Sequence, residues 1–175
     1  MSSLAVSLCA LTLTACGGTG SRPAPLDLTI LHINDHHSRL DAETTTLTLK
    51  DATGASKAVT VELGGFARVT AAIEALAAGQ KNVLKLHAGD AVTGDLYFTQ
   101  SEGKADADMM NTVCFDAFTL GNHEFDSADA GLVKFIDFLH AGSCRTPVLS
   151  ANVKPAAGTA LAGRIAAYSI VEKDG

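Results

Sequence analysis

Four short apolar runs alternate with amphipathic stretches along this chain, and that alternation limits its fold more than any other feature. The runs are residues 26–33 (LDLTILHI), 83–88 (VLKLHA), 115–120 (FDAFTL) and 147–153 (PVLSANV). Each has strand length and sits among Gly, Pro, Asn or Asp, which reads as a buried strand. Residues 66–78 set Phe66, Val69, Ile73, Leu76 and Ala77 at the spacing of one helix face and stop at Gly79. Residues 129–141 repeat the pattern with Leu132, Phe135, Ile136 and Leu139 before Gly142, and 105–113 reads as a shorter, weaker helix. Strands and helices in alternation, the strands nearly continuous in apolar residues, define an α/β domain around a largely parallel sheet. Segment 44–63 departs from the pattern: two alternating runs flank DATGASK, the signature of a β-hairpin inserted before the first helix.

Composition removes several function classes. The chain has 175 residues, 47% of them hydrophobic, enough for one packed domain. A net charge of −6, with no two Lys or Arg adjacent, offers no footprint for a nucleic acid polymer. No apolar run approaches the roughly 20 residues of a membrane span. The stretch 4–15 (LAVSLCALTLTA) has signal-peptide length, and a Gly/Pro-rich linker (17–25) follows it. Leu13-Thr14-Ala15-Cys16 resembles the lipobox of bacterial lipoproteins, which makes 1–16 a lipoprotein-type signal and Cys16 the lipidated residue. No Lys or Arg precedes Leu4, so the positive segment of such a signal is expected further upstream. The alternative is a buried N-terminal helix. Export leaves Cys114 and Cys144 as a pair, each just before a strand, to be joined by a disulfide or kept as two buried thiols.

The polar residues that carry chemistry fall at three places. Asn34-Asp35-His36-His37 follows the first strand, Gly89-Asp90 the second, and Gly121-Asn122-His123-Glu124-Phe125-Asp126 the third. The carboxyl ends of parallel strands share one edge, where ligands bind, so three loops converge on one site. Asp35, His37, Asp90, Asn122 and His123 offer carboxylate, imidazole and amide donors suited to Mn, Fe, Zn, Co or Mg. Two such ions about 3.5 to 4 Å apart polarise a phosphoryl oxygen and activate water near neutral pH. His32 and His87 lie inside strands and His140 near a helix end; these, with His36, read as structural or solvent-facing. Arg68 and Glu124 read as structural, Glu124 with a supporting role at the site as the other possibility.

In order, NDHH, the GD of LHAGDAVTGD and GNHEFD match the first three motifs of the calcineurin-like metallophosphoesterases. Together with GGFARV, GKADADMMN, FDAFTLGNHEFD and PVLSANV they resemble the bacterial exported 5'-nucleotidases, over about residues 28–175. The resemblance implies that the chain is the first half of a β-sandwich with flanking helices, the N-terminal part (26–175) of a catalytic domain. It implies Asp35 and His37 as ligands of one divalent ion, Asp90 as a bridge to a second, and Asn122 as a ligand of that second ion. It makes His123 catalytic, beside the phosphate, with Asp126 orienting it. The implied substrate is a nucleotide: a nucleoside monophosphate, NAD or a UDP-sugar. A 2',3'-cyclic-nucleotide phosphodiesterase shares the motifs, and a non-catalytic surface lipoprotein or a vestigial product stands as a rival from another class.

One departure from the family carries expectations of its own. Family members complete the site with later histidines and add a C-terminal domain that stacks the base, whereas only His140 follows His123 here. The chain therefore reads as truncated, cut in mid-hairpin at Glu172-Lys173-Asp174-Gly175, with a missing C-terminal part of the same protein as its partner. On its own it is expected to bind metal weakly, turn over little and expose an apolar sheet face. Its expected location is the periplasm or outer cell envelope, with a lipid anchor as its one membrane contact.

Overall fold

A computed structural model of the chain describes residues 25–173. The expected signal, Cys16 and all of the linker but Pro25 lie outside those residues. In chain order the elements are β1 (Thr29–Ile33), β2 (Ala42–Lys50), β3 (Ser56–Gly64), α1 (Phe66–Ala77), β4 (Val83–His87), α2 (Leu96–Ser101), α3 (Lys104–Val113), β5 (Ala117–Thr119), a single 3-10 turn (His123–Phe125), α4 (Ala128–Ala141) and β6 (Val148–Leu149). Strands β1, β4, β5 and β6 form one sheet in that order, and every pair is parallel. The register Thr29↔Val83 to Ile33↔His87 brings β1 and β4 to their carboxyl ends side by side.

A strand order that advances in one direction, with right-handed crossovers, puts every crossover helix on the same face of the sheet. There Phe66 and Ile73 of α1, Ala107 and Met110 of α3, and Leu132, Phe135, Ile136 and Leu139 of α4 pack with Phe118 and Val148 into one core. Among the described residues no helix covers the other face, and Leu26, Leu28 and Ile30, at alternate positions, are 55%, 44% and 52% exposed. Leu76 is 60% exposed, although its spacing suggested the buried face of α1. It lies about 60° around the helix from Ile73, past the edge of the stripe that Phe66 and Ile73 centre.

The strands are shorter than the apolar runs. Expected 26–33 begins at Thr29, 115–120 keeps three residues and 147–153 keeps two. Apolar character outlasts pairing: Phe115 is buried ahead of β5 without belonging to the strand, whereas Leu26 and Leu28 ahead of β1 are exposed. Helix α2 has no counterpart in the expected pattern: it is a six-residue turn opened by Asp95, whose side chain accepts the Leu96 N–H, and closed by Glu102 in a left-handed conformation. The hairpin pairs β2 with β3 from Ala42↔Gly64 to Lys50↔Ser56. Its turn is tied by the Asp51 carboxylate, which accepts from the Thr53 and Ala55 amides at 2.8 and 3.1 Å. Arg68, read as structural, pairs with Glu62 of the hairpin at 2.6 Å. Residues 169–173 belong to no strand, and Asp174 and Gly175, the tip of the expected final hairpin, lie outside the described residues.

Candidate metal centre

The three polar loops extend the sheet beyond its strands. Past β1, the Asp35 amide donates to the Gly89 carbonyl at 2.9 Å, His37 to Asp90 at 3.2 Å and Ser38 to Ala91 at 3.0 Å. The first two motifs are thus zipped together by backbone bonds. Asp35, His37, Ser38 and Asp90 all take positive φ, between 48° and 54°. Such conformations cost about 1–3 kcal/mol each in residues with a Cβ and persist where the surroundings enforce them, typically at functional sites.

The third loop packs so closely on the second that only glycine fits. A Cβ on Gly121 would sit 2.2 Å from Asp90 Oδ1, and one on Gly89 would sit 2.5 Å from the Gly121 nitrogen. Glu124 clamps the two loops. It is 3% exposed, and its carboxylate accepts three amides: Ala91 at 2.7 Å on Oε1, with Asp90 at 3.0 Å and Gly121 at 2.6 Å on Oε2. The supporting role read for Glu124 thus has a definite form: it fixes the backbone on either side of the site. Asp90 Oδ1 in turn accepts the His123 amide at 2.9 Å.

These bonds aim a compact donor set at one point. One ligand atom each from His37, Asp90 and His123 lies within 4.8 Å of the others. Asp35 Oδ1 stands 3.7 Å from His37 Nε2, and Asp35 also meets Asp90 through their carboxyl groups. Asn34 donates to the Asp35 carboxylate and, as the largest influence, holds its pKa below the ordinary value. Two carboxylates and two imidazoles gathered at a half-exposed edge are a donor set of intermediate hardness, which fits a divalent cation. His123 was read as catalytic rather than as a ligand, yet it shares this cluster, its ring 4.8 Å from that of His37 and edge-on to it. Asn122, one residue before it, is exposed at the same edge.

His123 Nδ1 lies 2.7 Å from Asp126 Oδ2. That hydrogen bond raises the imidazole pKa and lowers that of the carboxylate. The pair therefore favours the imidazolium form, which suits a place beside a group that develops negative charge. A cleft of about 390 Å³ opens beside His123, walled by Val92, Phe98, Gly131 and Phe135 with Lys134 at its side.

Of the other histidines, His32 is exposed and His140, at the end of α4, donates from Nε2–H to the Thr146 carbonyl at 2.9 Å. His87 is buried and His36 partly so; they are joined to each other at 2.9 Å, and His36 to Asp106 at 3.1 Å. Asp106 escaped the sequence reading, although a signal existed: it shares the i, i+4, i+7 stripe of Met110 and Val113, where an acid needs a partner. Cys114 and Cys144 are disulfide-bonded, with Cα atoms 5.2 Å apart, and tie the end of α3 to the segment entering β6. No helix among the described residues is long and apolar enough to cross a membrane.

A parallel sheet whose strand ends gather aspartate and histidine at one edge defines the class of metal-dependent hydrolases built on an α/β scaffold. The model of the calcineurin-like phosphoesterase family matches residues 28–163, and the chain belongs to that family. It is 45% identical over 165 residues to a probable 5'-nucleotidase of Treponema pallidum, covering 94% of this chain and 26% of the relative. To the NAD 5'-nucleotidase of Haemophilus influenzae it is 45% identical over 150 residues, covering 86% and 23%. The solved structure of Haemophilus influenzae NAD nucleotidase superposes with a TM-score of 0.75 at 46% identity, over 85% of this chain and 24% of that one. A 5'-nucleotidase precursor from Thermus thermophilus superposes with a TM-score of 0.69 at 38% identity, over 85% and 26%. The chain spans about a quarter of the length of these relatives.

Proposed function

We propose that this chain forms the N-terminal part of the catalytic domain of a 5'-nucleotidase-type phosphohydrolase that works with two divalent ions. The observation that carries the reading is the convergence of Asp35, His37, Asp90 and the His123–Asp126 pair from three loops onto one sheet edge. Asp35 and His37 would hold one ion, Asp90 would reach both, and Asn122 would serve the second. Bound there, divalent ions supply Lewis acidity toward a phosphoryl oxygen and activate water. His123, its pKa raised by the hydrogen bond with Asp126, would stabilise charge on the phosphate and donate a proton to the leaving oxygen.

The substrate class is a nucleotide, either a nucleoside monophosphate or a phosphoanhydride such as NAD or a UDP-sugar. The two relatives named as a 5'-nucleotidase and an NAD 5'-nucleotidase support this range without dividing it. Full activity would need the rest of a longer polypeptide, and these 175 residues alone would turn over little. Export with lipidation at Cys16 is part of the same reading, and the Cys114–Cys144 disulfide supports it, since such bonds persist in oxidising compartments.

The test is an assay of the polypeptide at its full natural length, with Mn2+, on AMP, NAD, a UDP-sugar and 2',3'-cyclic AMP. Phosphate or nucleotide release from one of the first three, abolished by chelation and by Asp90→Ala, is the expected result. Turnover of the cyclic nucleotide alone would move the reading to a phosphodiesterase. No turnover of any of them would favour a binding role.

A further inference from the structure

Beneath the first loop runs a chain of buried side chains that the proposed reaction does not use. Asp35 and His37 face the candidate metal centre, while the alternate residues His36 and Ser38 turn inward, their side chains 9% and 0% exposed. Under them lie His87 at the end of β4, 1% exposed, and Asp106 on α3, 0% exposed.

The bonds among these groups run in one direction. His87 Nδ1 accepts the Gly89 amide at 3.2 Å, so a neutral His87 carries its proton on Nε2. The ring sits between Phe115 and Phe118, with centroids 5.3 and 5.2 Å away, and burial pushes its pKa down to about 3. Nε2–H then donates to His36 Nδ1 at 2.9 Å. With Nδ1 occupied as an acceptor, His36 donates through Nε2–H to Asp106 Oδ1 at 3.1 Å. Ser38 Oγ donates to the other carboxylate oxygen at 3.0 Å. Reversing either ring would set two donors or two acceptors face to face in a dry interior, where an unmet polar group is costly.

We infer that His36 is a positioning residue for the metal centre. Through the one-way chain Gly89–His87–His36–Asp106 it locks the loop that bears Asp35 and His37 against the strand end that bears Asp90. The inference rests on the metallohydrolase reading above. Its physical need is local: Asp35, His37 and Ser38 hold left-handed backbone, which relaxes unless the loop is pinned on both sides. Backbone bonds pin one side, and the buried chain pins the other.

Two measurements on the full-length protein test it. Selective 15N labelling of histidine reports the tautomers without mutation, and in both His36 and His87 the proton should sit on Nε2 with Nδ1 as the acceptor. A proton on Nδ1 of either ring overturns the inference. The second measurement is Mn2+ affinity by EPR titration together with kcat and KM. His36→Leu should bind Mn2+ about 10 to 100-fold more weakly, with kcat at saturating metal reduced and KM for the nucleotide little changed. His36→Gln, whose amide offers an oxygen and an N–H in the same direction as the ring nitrogens, should recover most of the loss. Wild-type affinity in folded His36→Leu, or equal impairment in both variants, sinks the positioning role alone. An Asp90→Ala protein that binds Mn2+ like wild type sinks the metallohydrolase reading, and this inference with it.

Discussion

At the scale of single residues, the charge on His123 depends on one neighbour. Its hydrogen bond with Asp126 is the largest of the influences that raise its pKa above 6.5. A raised imidazole pKa contributes stability that is fully present below pH 6.5 and lost as pH rises through the folded value; the lowered Asp126 pKa contributes stability above 3.8 that is lost on acidification. Asp126→Asn should therefore bring the His123 pKa back down toward 6.5, measured by NMR titration of the imidazole in metal-free protein. An unchanged titration would show that Asp126 does not govern it. Glu124 invites a second substitution. Glu124→Gln replaces an acceptor by an amide NH2 that must face backbone N–H groups, so the loops should lose about 1–3 kcal/mol, read as a lower midpoint in denaturant. A midpoint equal to wild type would mean that the three amide bonds are not the clamp they resemble. The His123–Asp126 pair was readable in GNHEFD from its i, i+3 offset, whereas Glu124 was readable only as structural or supporting. What the motif does not contain is Asp106, seventy positions from His36, because the pairing of distant buried groups follows from packing alone.

Among the elements, the parallel core was readable and its exceptions have physical causes. Helix α4 places Leu132, Phe135, Ile136 and Leu139 in the core as its period indicates. Helix α2 was not readable: LYFTQS buries none of its residues, so no period marks it, and its ends are set locally, by the Asp95 side chain that accepts the Leu96 N–H and by the left-handed backbone of Glu102. The hairpin is the element with least hold on the rest. Its strands pair with each other, their tip is tied within itself by Asp51, and the links to the domain near Glu62 and Glu43 are exposed ion pairs with Arg68 and Arg39. Exposed pairs of this kind contribute about 0–1 kcal/mol. Replacing residues 45–61 by a short Gly-containing turn should thus lower the thermal midpoint by no more than a few degrees. A collapse of the fold on that deletion would show that the hairpin nucleates α1 rather than decorating it.

At the scale of the whole molecule, a disulfide and an open surface dominate among the described residues. The Cys114–Cys144 bridge closes a segment of 30 residues between α3 and β6. A loop of that length stabilises by roughly 3–4 kcal/mol in the chain-entropy account, so Cys114→Ser with Cys144→Ser should lower the denaturant midpoint by a matching amount. If the midpoint is indifferent to reduction, the bridge does not hold these elements together. The open surface is the sheet face opposite the helices. Ile30 of β1 lines its first edge, and Leu28 and Leu26 continue the exposed alternation just before the strand. Apolar side chains in a row on an extended sheet face bind whatever apolar surface is offered, and contiguous exposure of this kind marks an interaction surface in stable proteins. Among identical 175-residue chains, the surface on offer is a second copy. The polypeptide alone should self-associate at micromolar concentration in sedimentation velocity, and Leu28→Lys with Ile30→Lys should shift it toward monomer, because a charge placed on each strand face resists desolvation. A single monomer boundary for the unsubstituted chain would show that its exposed face is tolerated by water.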